Sequence, residues 1–266
     1  QLKTKSKLPP GARLHYLTVG VSDYGRNATR LKLNYAAKDA RDLAGALENT
    51  QTSLYAEVRA EMLIDAEATR ENILARIDTM IRAADAGDGR GLAVVHIAAH
   101  GGVIDDTYYL LPHGVDARSI AAIKQTALDL PTLRQRLARL GQYTRVLVLL
   151  DACQSGAVTG DGKILQVDGQ RLRTILAEMA NVTVLTSSSS SLPSYEDPKW
   201  ENGAFTEVVL KALGRGGDID SNGLINVSEL MAYVSEELPR LTSNRSFPQK
   251  PAVEIRFQSE IFVSGL

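Results

Sequence analysis

Val146-Leu147-Val148-Leu149-Leu150-Asp151-Ala152-Cys153-Gln154-Ser155-Gly156 is an unbroken apolar run that ends in an acid, a cysteine and a glycine. Five consecutive apolar residues without polar alternation read as a strand buried on both faces, the mark of a parallel sheet covered by helices. Leu92-Ala93-Val94-Val95-His96-Ile97-Ala98-Ala99-His100-Gly101-Gly102 repeats the design upstream, with a histidine and glycines at its end. Around these two strands the pattern alternates. Leu14–Val21, Val58–Ile64, Tyr108–Leu111 and Val182–Thr186 read as further strands. Asn34–Leu47, a helix capped by Thr69, Pro131–Leu140, Arg171–Met179 and Ala204–Leu213 keep helical spacing. The expected fold is therefore α/β: a single three-layer domain with a mostly parallel central sheet and helices on both faces. Residues 1–12 read as a loose lead-in, and residues 13–266 as the domain. Within it, a larger nucleophile-bearing part runs to about residue 160, a flexible linker covers 157–173, and a smaller part runs to 266.

Composition narrows the function. At 44% hydrophobic and 23% charged, the 266 residues can bury a sizeable core. Thirty basic residues against thirty-one acidic ones, a formal charge of −1, remove a broad electrostatic drive towards nucleic acid or anionic membrane. No apolar run reaches the roughly 18 residues of a membrane span. The lone Cys153 excludes an internal disulfide framework and a multi-cysteine zinc site. A cytoplasmic location is the expectation. The start at Gln1 reads as a chain trimmed, processed or excised from something longer. Neither GxGxxG after a strand nor GxxxxGK[ST] occurs, which weakens a phosphate-cradling, flavodoxin-like alternative.

Parallel sheets gather chemistry at the carboxyl ends of their strands. If the two apolar strands are neighbours, His100 and Cys153 emerge on the same edge within reach of each other. A thiol needs a base to become a thiolate, and imidazole serves near neutral pH. The glycines that follow allow backbone N–H groups to approach a substrate carbonyl. The bland alternative for Cys153 is a small buried hydrophobe. Asp151, at the end of a buried strand, needs a partner, either a substrate guanidinium or ammonium or an internal Lys or Arg. On a helical wheel Asp39 falls on the flank of the apolar face of its helix.

His100-Gly101 after one apolar strand and Asp151-Ala152-Cys153-Gln154-Ser155-Gly156 after another resemble the catalytic pair of caspase-like cysteine peptidases. The Asp-x-Cys-x-Ser-Gly form is more similar to the bacterial and metacaspase branch, the orthocaspases, than to animal caspases. The likeness runs from Leu17-Thr18-Val19-Gly20-Val21 to Gln249-Lys250-Pro251. It implies a caspase–haemoglobinase fold, with Cys153 as nucleophile, His100 as general base and acid, and the Gly101 N–H as oxyanion donor. It also implies a pocket for Arg or Lys, since metacaspases line theirs with an Asp two before the Cys and an Asp in the first helix. Asp151 and Asp39 match those positions. Ser187, with the serines after it, and Ser194-Tyr195-Glu196 would form another wall of the cleft. Where metacaspases carry Ser-Gly-His-Gly, this chain has Ala98-Ala99-His100-Gly101. The implied activity is a cysteine endopeptidase acting on protein or peptide after Arg or Lys, and the resemblance also implies regulation by fused sensor or repeat domains, as bacterial relatives often have. The alternatives are a catalytically silent caspase-like interaction module, or a peptidase of non-basic specificity. Related enzymes cut themselves in the linker, where Lys163, Arg171 and Arg173 are the candidate sites.

The chemistry of a Cys–His dyad requires no cofactor. Calcium is the one candidate ligand. Asp218-Ile219-Asp220-Ser221-Asn222-Gly223 with Glu229 at position 12 fits the EF-hand spacing, while Gly214–Gly217 breaks the helix that should lead in. The competing reading is a polar turn in which Asn226 or Ser228 caps the next helix. Asp105-Asp106 is similar to a region where some metacaspases take up calcium.

Overall fold

The computed structural model describes residues 11–51, 54–87, 91–153, 179–187, 194–254 and 262–265. Its strands are β1 (Arg13–Gly20), β2 (Glu57–Ile64), β3 (Gly91–Ile104), β4 (Thr107–Leu110), β5 (Leu128–Asp129), β6 (Arg145–Cys153), β7 (Val182–Thr186), β8 (Glu196–Asp197), β9 (Asn202–Gly203), β10 (Leu224–Asn226), β11 (Ala252–Glu254) and β12 (Phe262–Gly265). The helices are α1 (Ala36–Gln51), α2 (Arg70–Asp85), α3 (Ile120–Thr126), α4 (Leu130–Leu140), α5 (Ala204–Leu213) and α6 (Val227–Leu241).

The main sheet has the order β11-β7-β6-β3-β1-β2. Every pairing from β2 to β7 is parallel, and β11 closes the far edge antiparallel. Strand alternation then sorts the side chains. Leu17, Val19, Val95, Ile97, Val148 and Leu150 pack towards α2 and α4. Leu14, Tyr16, Val94, Leu147 and Leu149 pack towards α1, α5 and α6. The expected three-layer α/β domain is what the chain forms. No helix among the described residues is long and apolar enough to cross a membrane.

Local signals act as the sequence leads one to expect at most ends. The Thr69 hydroxyl accepts the Asn72 N–H at the start of α2, and Pro131 occupies the first turn of α4. α1 begins two residues later than its periodicity suggests and runs on to Gln51. β3 extends well past Leu92–Ala98, the nearly continuous apolar run that reads as its strand. Its last four residues turn back on β4, from Gly101 opposite Leu110 to Ile104 opposite Thr107, through a two-residue turn of Asp105 and Asp106. Both aspartates stand at positive φ, 43° and 65°. Hairpin turns of this kind favour glycine at such positions, so an Asp-Asp pair carries a weak turn signal. The linker and the helix expected from Arg171 lie outside the described residues, apart from Met179.

One contact fixes the height of α1 above the sheet. A Cβ placed on Gly20 would stand 2.2 Å from the Ala36 carbonyl oxygen and 2.8 Å from the Ala37 Cα. The helix therefore rests backbone on backbone against the end of β1. Gly20→Ala is expected to lower stability by about 1–3 kcal/mol, because backbone rather than a flexible side chain must move. Gly45→Ala, in the same helix with nothing within 4 Å of the new methyl, should instead raise it by about 0.5–1 kcal/mol. Thermal unfolding of the two variants beside the parent checks the opposite signs.

Candidate active site

β3 and β6 run side by side in one parallel register that pairs Ala98 with Asp151, Ala99 with Ala152 and His100 with Cys153. Paired residues of adjacent strands stand about 4.8 Å apart and point to the same face. The histidine and the cysteine are thus nearest neighbours at the carboxyl edge of the sheet. His100 is buried, 2% exposed.

The segment after β1 holds that histidine. Its Nε2 lies 2.7 Å from the Leu31 carbonyl oxygen. A carbonyl only accepts, so Nε2 carries the proton and Nδ1 is left as the basic nitrogen. The His100 backbone N–H donates to the Tyr24 hydroxyl at 2.7 Å, and Leu111 N–H donates to the His100 carbonyl at 2.9 Å. Both backbone groups of His100 face away from β6. Successive strand residues alternate in direction, so the Gly101 N–H turns towards β6 and the end where Cys153 sits. Gly101 has no room for a side chain, since a Cβ there would lie 2.2 Å from the Tyr108 hydroxyl oxygen. His96, four residues earlier on the same face, is a different case. Burial pushes its imidazole down to about 3, so it stays neutral.

Asp151 and Asp39 meet beside this edge. Asp39 is 2% exposed and Asp151 is 1% exposed. Gly203 of β9 lies between them: its N–H donates to Asp39 Oδ1 at 3.0 Å. A Cβ on Gly203 would stand 2.9 Å from Asp151 Oδ2 and 3.1 Å from Asp39 Oδ2. Gly203 thus packs directly against both carboxylates, with no room for a side chain of its own. Burial, then the charge of Asp151, pushes the Asp39 carboxyl up to about 8, against the pull of the Gly203 N–H. Burial also raises Asp151 to about 6, with the Ser187, Ser194 and Thr206 hydroxyls working the other way. Among the described residues no Lys or Arg pairs with either acid, so the internal salt bridge that could satisfy Asp151 is absent there.

The remaining expected residues fall around these two acids. Ser187 is buried and its hydroxyl lies 2.8 Å from that of Ser194, which donates to Asp151 Oδ1 at 3.1 Å. Glu196 accepts from Asn34 N–H, Asn34 Nδ2 and Tyr35 N–H at 3.1, 3.0 and 3.0 Å, so its carboxylate ties β8 to the chain just before α1. Sequence reasoning missed Tyr24, the Leu31 carbonyl, Gly203 and Gln249. The Gln249 amide donates to the Ser187 carbonyl at 2.7 Å and accepts from Tyr195 N–H at 3.2 Å. Lys163, Arg171 and Arg173 lie outside the described residues.

The loop from Asp218 is remote from this edge. Oxygens of Asp218, Asp220 and Glu229 lie within 4.8 Å of one another. Loop amides take them up: Asp218 accepts from Asn222 and Gly223, and Glu229 accepts from Asp220 and Asn226. Asn226 and Glu229 form a capping box at the start of α6, as the polar-turn reading expects. Asp105 pairs with Lys124.

The architecture and this edge define a caspase-like fold. Protein GSU0716 from Geobacter sulfurreducens superposes with a TM-score of 0.60 at 18% identity, over 91% of this chain and 92% of that one. Caspase-1 from Spodoptera frugiperda superposes with a TM-score of 0.59 at 13% identity, over 100% of this chain and 92% of that one. No curated protein sequence matches the chain. The CHAT domain model matches residues 2–186, and the chain belongs to that family.

The raised carboxyls make a stability prediction. A carboxyl whose folded pKa exceeds its unfolded value favours the folded state at low pH, and that advantage is lost as pH rises through the folded value. For Asp39 the loss runs from about pH 4 to about pH 8. Asp39→Asn should therefore melt higher than the parent at pH 8, by about 2–4 °C per kcal/mol gained, with the difference closing towards pH 4. Scanning calorimetry at the two pH values checks it.

Proposed function

We propose that this chain is a cysteine endopeptidase that cleaves after Arg or Lys. The observation that carries the reading is the buried carboxylate pair Asp39–Asp151, which among the described residues has hydrogen-bond donors but no Lys or Arg paired with it, set beside the neighbouring His100 and Cys153. Keeping two like charges out of water is unfavourable unless a cation joins them. A guanidinium offers donors to both acids at once, and an ammonium offers three.

The chemistry follows from the tautomer. His100 Nδ1 takes the proton of the Cys153 thiol, and the thiolate attacks the scissile carbonyl. A carbon–sulfur bond forms, and the carbonyl oxygen gains charge that the Gly101 N–H stabilises. The imidazolium then gives its proton to the departing amine as the carbon–nitrogen bond breaks. Water, deprotonated by the same imidazole, cleaves the thioester and restores the thiol. The Leu31 carbonyl keeps Nε2 protonated throughout, so Nδ1 alone exchanges protons with substrate. No cofactor enters any step. Lys163, Arg171 and Arg173 supply bonds of the preferred kind for self-cleavage.

Fluorogenic peptides that differ only before the scissile bond test the specificity. Arg and Lys peptides should be hydrolysed, Asp and Gln peptides should not, and Cys153→Ala should abolish turnover. Preference for an acidic residue overturns the pocket assignment. Asp151→Asn should lower kcat/KM for the Arg peptide by about 30-fold or more, the usual loss when one side of a buried charge pair is removed. Mass spectrometry of the parent and Cys153→Ala chains should find cuts after basic residues in the parent alone.

The pocket also sets a pH dependence. Only ionised carboxylates attract the cation, and Asp39 and Asp151 are raised to about 8 and about 6. KM for the Arg peptide should fall as pH rises from 6 to 8. In Asp39→Asn that fall should shrink, a comparison made from initial rates at each pH.

A further inference from the structure

We propose that Tyr24 is a positioning residue for His100, an inference that rests on the peptidase reading of the Cys153–His100 pair. β1 accompanies β3 only as far as Gly20 opposite Ala98, with one further bond from Val21 N–H to the Ala98 carbonyl. His100 lies two residues beyond that last rung. Its N–H, which faces that side, has lost its strand partner there.

Tyr24 fills the vacant rung with a side chain. Its hydroxyl accepts the His100 N–H at 2.7 Å, and its ring stacks on the imidazole with centroids 5.2 Å apart and planes 26° from parallel. The ring is buried, 1% exposed. The loop around it is pinned in turn. The Tyr24 carbonyl accepts from Gly114 N–H at 3.2 Å, and the Gly25 N–H donates to Asp23 Oδ1 at 2.9 Å. One residue therefore sets both the backbone and the ring plane of the histidine, while Leu31, seven residues later, sets the tautomer. Phenylalanine would keep the stack and lose the acceptor; leucine would lose both. Tyr24 needs no contact with substrate for this role, so its loss belongs in the chemical step rather than in binding. A displacement of the base by about 1 Å is enough to lower the rate of that step steeply.

The test uses the full chain and three variants: Cys153→Ala, Tyr24→Phe and Tyr24→Leu. Hydrolysis of the Arg peptide by the parent and none by Cys153→Ala establishes the dyad. Tyr24→Phe should then lower kcat by about tenfold or more with KM within about twofold, and Tyr24→Leu should lower kcat further. A second readout does not depend on activity. With nitrogen-15 in the histidines and His100→Ala for assignment, the Nε2 proton bonded to Leu31 should exchange with water at least about tenfold faster in Tyr24→Phe than in the parent, as that bond loosens. A kcat within about twofold of the parent together with unchanged proton exchange overturns the inference. So does a KM that rises as kcat falls, because it locates the damage in the pocket. If the parent hydrolyses nothing, the peptidase reading fails, and the imidazole proton alone decides: faster exchange in Tyr24→Phe upholds the positioning role, and unchanged exchange overturns it.

Discussion

The parallel register of β3 and β6 is the constraint on which the site depends. It sets Asp151 beside Ala98 and Cys153 beside His100. A slip of one residue would send the cysteine and the histidine to opposite faces of the sheet. The register is strongly held because both faces are apolar. Val148 and Leu150 interlock with α2 and α4, while Leu147 and Leu149 interlock with the other layer, so no shifted pairing buries the same surface. Hydrophobic patterning, which carries no chemistry itself, thereby brings two reactive groups together.

The carboxylate pair shows the opposite economy. Burial raises both Asp39 and Asp151, and the charge of Asp151 raises Asp39 further. Burying two carboxyls side by side lowers stability wherever both are ionised. The fold holds the pair with small groups. α1 lies close enough to place Asp39 there because Gly20 meets Ala36 and Ala37 without side chains between them, and Gly203 contributes an N–H and no bulk. Serine hydroxyls on the Asp151 side supply partial compensation, and Gln249 holds the segments that carry them.

Legibility in the sequence followed the physics of each feature. The strands, the helices and the sheet type were readable because burial imposes periodicities of 2 and 3.6 on side-chain polarity. The adjacency of the strand ends that carry His100, Asp151 and Cys153 was readable because polar residues at the ends of apolar runs stand out. Asp39 was only half readable. A helical wheel weighs one helix against one surface, and it assigns a flank position to the edge of solvent. Here β9 covers that flank, so the side chain is buried. Tyr24, Leu31 and Gly203 left no signal at all. They act through a hydroxyl, a carbonyl and an absent side chain, on segments without regular spacing, and their partners are distant in the chain. The length of β3 was missed for a related reason, since its final rungs depend on a hairpin whose turn residues are unusual for the type.

The two halves of the site have different kinds of support. Asp39, His100, Asp151 and Cys153 all lie within the residues 2–186 that match the family, on the sheet or on the helix that rests against it. Ser194, Glu196, Gly203 and Gln249 lie beyond that match, on short strands and loops held by side-chain hydrogen bonds. Residues on the sheet cannot change without disturbing the core, whereas those on the outer wall can change at the cost of a few hydrogen bonds. A fold divided in this way can keep its reactive pair while the shape and polarity of the opposing wall vary, because the register that aligns His100 with Cys153 makes no demand on residues 194–203. In this chain the absence of a side chain at 203 is what lets β9 close directly on both acids.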